Sequence, residues 1–466
     1  MARYARTELG VLIPILDGPR PTVPGAEIYV RNKDLGRPPM HEEELVECIG
    51  RLSAADALIA IAHLNTRLFS QSRPEETLQI QRELAAQMLG DGGLGRAVRG
   101  KLGNGIATTV FFEQQLVHLA RLVIVQGDRR PRDQFGGGAM LEDWASCLVG
   151  VNDLLDAGLD INNGEERLSW EIRQCSLNHH EDQLPSSALH YEVYRVIWPE
   201  LKKGRYEQVD AAFQRHTDMT IGDYFTVGAA VLARLAIRGF KQPTTLPAIT
   251  PREYFSSGKI EESTWQAFFS LAARDLDGLR EGLLQERADF GESTYGSLTF
   301  ERFPLAEIEP GLYVPLSMKS LQRRVSGGVF HLLSEAAENE GKDRRTYSSR
   351  FGRAFQRSVE QTLRRGVAFS QEVSIVADEP YGPRKARRDS SDVILGYELT
   401  PVFVEVVSGP LQARTTTQGD LECFFGDANR LVVEKARQLD QCIQAFFDRN
   451  WSYPTLIPPR WLTFGR

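Results

Sequence analysis

Val402-Phe403-Val404-Glu405-Val406-Val407 is a six-residue apolar run with one carboxylate inside it. Runs this rich in valine and phenylalanine read as strands packed on both faces. An ionised glutamate in such a run loses roughly several kcal/mol of hydration unless a metal, a cation or hydrogen bonds replace the water. Thirteen positions earlier, Ser391-Asp392-Val393-Ile394-Leu395 sets a second acid at the mouth of another apolar strand. The segment Gly396 to Pro401 turns one strand into the other, so the two acids can converge on one divalent ion. Strand alternation places Phe403, Glu405 and Val407 on one face and Val402, Val404 and Val406 on the other.

The same order of elements extends outward. Phe351, Phe355, Val359 and Leu363 recur every four residues, the apolar face of a helix. Val367 to Val376 reads as a strand, and the basic turn Pro383-Arg384-Lys385-Ala386-Arg387-Arg388 leads to Asp392. After Glu405 come a long loop, a helix from Ala428 to about Phe447, and a last extended piece, Tyr453 to Ile457. Helix, three strands, helix, strand predicts a three-layer α/β unit on a small mixed sheet.

Upstream the texture is helical. Residues 1–295 read as a mostly helical domain with N-terminal strands over Gly10 to Leu16 and Ala26 to Val30. Leu45, Ile49, Leu52, Leu58, Ile61 and Leu64 fall near helical spacing, with Ser53 as a cap between two helices. Single helices are expected over Ile106 to Val125 and from Trp265 to Leu283. Residues 296–345 form a connector in which Glu309-Pro310-Gly311 turns between two short strands. Ser317 and Ser320 offer caps for a helix running to about Ala337. Residues 346–466 make the C-terminal α/β domain, and the fold class is α plus α/β.

Composition bounds the function. The 466 residues are 42% hydrophobic and 25% charged with a net charge of −7, which excludes a wholly basic nucleic-acid coat protein. The stretch Lys342 to Arg388 reverses that sign, with 12 basic against 5 acidic residues, and favours a polyanionic partner. The five cysteines are widely spaced, as expected of reduced thiols. No segment has the signal-peptide or membrane-span pattern, so a cytoplasmic protein is expected.

Three further motifs carry little. Gly95 to Lys101 fits the first seven positions of a P-loop, but Leu102 replaces the Ser or Thr that binds Mg²⁺. His179-His180-Glu181-Asp182 lacks the second half of a zinc-binding helix, and Gly136-Gly137-Gly138 reads as a loop.

The C-terminal order and acids resemble the PD-(D/E)xK nuclease superfamily, over roughly the last 120 residues only. The resemblance implies a restriction-endonuclease-like fold and a metal-dependent nuclease using Mg²⁺ or Mn²⁺. It maps the two metal-binding acids onto Asp392, with Asp389 three residues earlier as a competing candidate, and Glu405. The lysine usually found two positions after the second acid is replaced by Val407. Lys435 and Gln438 on the following helix resemble the Lys/Gln pair of RecB-like members, and Glu360 matches an acid on the first helix. The implied catalytic set is Asp392, Glu405, Lys435, Gln438 and Glu360. Arg353, Arg357, Arg384, Lys385, Arg387 and Arg388 supply basic groups suited to phosphate contacts. The implied substrate is a nucleic acid, with DNA the first candidate, in bacterial genome defence or repair. The alternative is a degenerate module that binds DNA or a protein without cutting. The N-terminal region is expected to recognise substrate, a partner protein or a second copy.

Overall fold

The computed structural model describes residues 3–6, 12–15, 28–69, 74–103, 108–129, 138–155, 190–200, 205–241, 246–256, 258, 260–291, 296–368, 373–377, 391–397, 400–408, 411–412, 414–415 and 419–447. Most of these residues are helical. Two hydrophobic cores organise the helices. The first gathers Leu45, Ile49, Leu52, Leu58, Ile61 and Leu64, all the apolar positions expected there, with Leu116, Leu119 and Trp144. The second gathers Tyr194, Phe213, Tyr224, Phe268 and Val325. Ser53 caps the helix Ala54–Phe69, its hydroxyl accepting from Asp56 N at 3.4 Å.

Long-range pairing breaks two of the expected helices. Before the helix Glu113–Gln126, Thr108–Thr109 pairs in parallel with Ile28–Tyr29. The next two backbone N–H groups, of Val110 and Phe111, donate to the buried Gln81 side chain at 3.0 and 2.9 Å. That amide supplies acceptors a helix would otherwise provide. The run from Trp265 to Leu283 divides into Glu262–Ala272 and Leu276–Phe290 around β1 (Ala273–Asp275). β1 pairs in parallel with β2 (Leu305–Glu309), and Asp275 caps the second helix by accepting from Gly278 N at 2.8 Å.

β2 turns through Gly311, at φ 76°, into antiparallel β3 (Leu312–Pro315). The sharp return requires a left-handed residue, which glycine adopts without strain. Ser317 caps the next helix, accepting from Ser320 N at 3.0 Å. The helix expected to reach Ala337 is interrupted at Gly327, between Met318–Ser326 and Gly328–Asn339. Two successive glycines are the weakest helix formers after proline.

The C-terminal elements open with α1 (Arg345–Val367). Its first half belongs to the second core: Tyr347, Phe351 and Ala354 are buried there, with Phe351 stacked 5.3 Å from Tyr194. β4 (Ser374–Ala377), β5 (Val393–Tyr397) and β6 (Thr400–Val404) form an antiparallel sheet with β5 in the centre. Tyr453 to Ile457, whose strand would make this sheet mixed, lies outside the described residues.

The apolar run Val402 to Val407 is shorter as a strand than expected and is not packed on both faces. β6 ends at Val404, and Val402 is 40% exposed. The Asp392 side chain accepts from Val406 N at 2.6 Å, taking a donor that would otherwise extend the ladder. After it come α2 (Leu421–Ala428), a five-residue π turn Asn429–Val433, and α3 (Glu434–Phe447). Among the described residues no helix is long and apolar enough to cross a membrane. Cys48, Cys147, Cys423 and Cys442 are free thiols.

Candidate active site

The inner face of β6 and one stripe of α3 build the site together. Ile394 and Cys442 are buried, and Phe403 meets Phe446 edge-on with ring centroids 5.5 Å apart. Phe446, Cys442, Gln438 and Lys435 lie on one side of α3, at spacings of four, four and three residues. With Phe446 and Cys442 fixed against the sheet, the first turn of α3 is carried to the end of β6. The side chain two residues beyond Phe403 is Glu405.

The π turn contributes to this alignment. Glu434 N donates to Asn429 O, five residues back. Such a bulge inserts one residue, worth about 100° of helical rotation, between the faces of α2 and α3. Val432 and Val433 are turned outward as a result, at 63% and 39% exposure.

Lys435 Nζ donates to Glu405 Oε1 at 2.7 Å and to Gln438 Oε1 at 3.3 Å. The Glu405 side chain is 3% exposed, whereas that of Lys435 is 37% exposed. The carboxylate is thus removed from water and the ammonium only partly so. Glu405 Oε2 is sealed from solvent and has no hydrogen-bond partner. A buried carboxylate oxygen left in this state is costly unless something positive occupies the space beside it.

Asp392 sits on the same side. The β5–β6 register ends at the pair Val393 and Val404, and Asp392 and Glu405 are the next residues along the two strands, which a continued register would set opposite each other. Cross-strand neighbours of this kind have Cβ atoms roughly 4.5–5.5 Å apart. Asp392 is half-buried, and its bond to Val406 N ties the two strand ends together.

Glu360 is placed differently from the other acids. It is buried on α1, and both carboxylate oxygens are occupied, one by Arg364 Nε at 2.7 Å and the other by Arg357 Nη1. Burial pushes its carboxyl up, but the two guanidinium hydrogen bonds outweigh this and hold it below the ordinary glutamate value. Arg353 is exposed on the same helix, and Arg365 pairs with Glu192 at 2.7 Å. Arg384, Lys385, Arg387, Arg388 and Asp389 lie outside the described residues, as do His179 to Asp182. Gly95 to Lys101 falls within the helix Gly93–Gly103, not on a strand-to-helix loop.

Asp427, which the sequence did not single out, organises the chain between the two parts of the site. Fully buried, it accepts from Gln412 N at 2.7 Å, Thr415 Oγ1 at 2.9 Å and Arg430 Nη2 at 2.8 Å. Burial raises its carboxyl, and these donors more than compensate, leaving it below the ordinary aspartate value. The only sequence signal was the spacing of Asp427 and Arg430 on one helical face.

Among the described residues no three His, Cys, Asp or Glu side chains cluster as a metal cage. Mg²⁺ does not require one, because it keeps several waters and binds through one or two carboxylates plus substrate phosphate. Glu405, with an unpartnered buried oxygen, and Asp392 at the end of the neighbouring strand fit that donor set. No protein-family model, curated protein or solved structure matches the chain.

Proposed function

We propose that the C-terminal elements form a Mg²⁺- or Mn²⁺-dependent nuclease of the PD-(D/E)xK type that hydrolyses phosphodiester bonds, with DNA as substrate. The observation that carries this reading is the approach of Lys435 to a buried Glu405 whose second oxygen has no partner. A lysine missing at Val407 is thereby replaced in space from the following helix.

In this reading Asp392 and Glu405 hold the ion. When bound, it supplies Lewis acidity toward the phosphate and lowers the pKa of its water. Lys435 keeps one donor beyond those given to Glu405 and Gln438, and its partial exposure lets it reach a phosphate oxygen or orient the attacking water. Gln438 fixes the lysine side chain from below. The bond from Val406 N to Asp392 holds the two acid-bearing strand ends in register. The helical N-terminal region is assigned to recognition of substrate or of a partner, and the setting to genome defence or repair.

Cleavage of plasmid and single-stranded DNA with Mg²⁺ or Mn²⁺, wild type beside Glu405→Ala, tests the proposal. Cutting by the wild type that disappears in the variant supports it. Equal cutting by both proteins removes Glu405 from the chemistry. No cutting by either, with DNA retained on a filter, leaves a binding module without catalysis.

A further inference from the structure

α1 carries six arginines and one acid in its 23 residues. The acid, Glu360, has a side chain only 4% exposed, while its partners Arg357 and Arg364 are 46% and 49% exposed. The negative charge of this helix is therefore hidden and its positive charge displayed. Arg353, Arg357 and Arg364 are separated by four and seven residues, which puts all three on one face over about 16 Å of helix. Glu360 lies on that face between the last two.

Each guanidinium gives one donor to Glu360, Arg357 through Nη1 and Arg364 through Nε. Arginine has five N–H donors in a rigid fork, so the remaining edges stay available to an outside anion. Two guanidiniums on one carboxylate leave a net positive charge, and Arg353 adds another. Arg353 is in none of the described ion pairs.

We infer that Arg353, Arg357 and Arg364 form a stripe that binds the phosphate backbone of a nucleic acid, with Glu360 as the positioning residue that pins two of its three guanidiniums. This rests on the nucleic-acid reading proposed above, but it gives Glu360 a task separate from the metal. Pre-pinned side chains bind without the ordering cost that free arginines incur. The helix is in turn anchored to the protein body through Tyr347 and Phe351.

The test is binding of a fluorescein-labelled 20-base-pair duplex by the full chain in EDTA, from 50 to 200 mM KCl. Arg353→Gln, which disturbs no described ion pair, is expected to lower the slope of log K against log salt by about 0.9, one phosphate contact. Glu360→Gln makes the chain one charge more positive yet is expected to weaken binding about tenfold, because the two arginines lose their anchor. A purely electrostatic or purely structural role for Glu360 predicts tighter or unchanged binding. In the cleavage assay, the Mg²⁺ concentration for half-maximal rate stays within twofold of wild type for Glu360→Gln, whereas a metal ligand would shift it.

An unchanged salt slope in Arg353→Gln, tighter or equal binding by Glu360→Gln, or a shifted Mg²⁺ requirement overturns the inference. Should the wild type bind with the expected slope and never cut, the nuclease reading falls and the stripe stands. Cutting that persists while the variants bind like wild type removes the stripe and leaves the nuclease standing. If the wild type fails to bind the duplex at 50 mM KCl, the stripe is refuted.

Discussion

Replacing Lys435 by methionine keeps the aliphatic stem of the side chain and removes the ammonium, which isolates the worth of one contact. Glu405 would then remain buried, its Oε2 already without a partner and its Oε1 deprived of the 2.7 Å bond. Removing one member of a buried ion pair costs about 3–5 kcal/mol. Lys435 is 37% exposed, so water replaces part of what it gave, and we expect about 2 kcal/mol. The cost falls on the packing of α3 against the sheet. Amide hydrogen exchange of α3 peptides in EDTA should therefore quicken about thirtyfold. Adding Glu405→Leu to Lys435→Met removes the stranded charge and should restore most of the protection, a coupling of about 1–2 kcal/mol. Exchange that changes less than twofold in Lys435→Met would mean that Glu405 is not desolvated, and the electrostatic basis of the site would fail.

Three more expectations concern the body of the protein and α1. His118 is half-buried as a residue, but its Nδ1 is sealed and unpaired, and burial with Arg121 nearby lowers its pKa to about 3. The unfolded chain takes up that proton near pH 6.5, so between pH 6.5 and 4.5 the wild type should lose about 2 kcal/mol more than His118→Leu in urea titrations, burial of His63 and His331 adding a loss common to both. Glu360 has a depressed carboxyl in the folded state, so its stabilisation is complete above the unfolded value near pH 4.3 and is lost as pH falls through its own lower value. The stability gap between wild type and Glu360→Gln should be constant from pH 7 to about 5 and close below about pH 4. A Cβ on Gly228 would stand 2.8 and 2.9 Å from the two Val325 methyls, so Gly228→Ala should cost about 1–2 kcal/mol in thermal unfolding despite alanine's better helix propensity. Val325→Ala in the same chain should recover part of it.

Local pattern carried much of this structure. The apolar positions from Leu45 to Leu64 are buried, Ser53 and Ser317 cap helices, and Glu309-Pro310-Gly311 turns a hairpin, because each depends on residues close in sequence. The three-residue spacing of Lys435 and Gln438 likewise survived into one hydrogen bond. What pattern could not carry depended on distant partners. β1 interrupts a helical run because Leu305 to Glu307 pair with it, and the backbone at Val110 and Phe111 follows a glutamine some thirty residues earlier. The early end of β6 depends on the carboxylate of Asp392 across the sheet. The clamp on Glu360 had a visible signal, arginines three before and four after one acid, but the motif resemblance drew that acid toward the metal. The π turn before Lys435 has no sequence signature that we can name.

The most direct test is anomalous X-ray scattering from crystals of the full chain soaked in Mn²⁺, wild type beside Glu405→Gln. A peak about 2.1 Å from Glu405 Oε2, shared with the Asp392 carboxylate and absent in the variant, is the expected result. Crystals with no density there, and Lys435 still paired to Glu405 at saturating Mn²⁺, would contradict the assignment of this pair of acids to a metal.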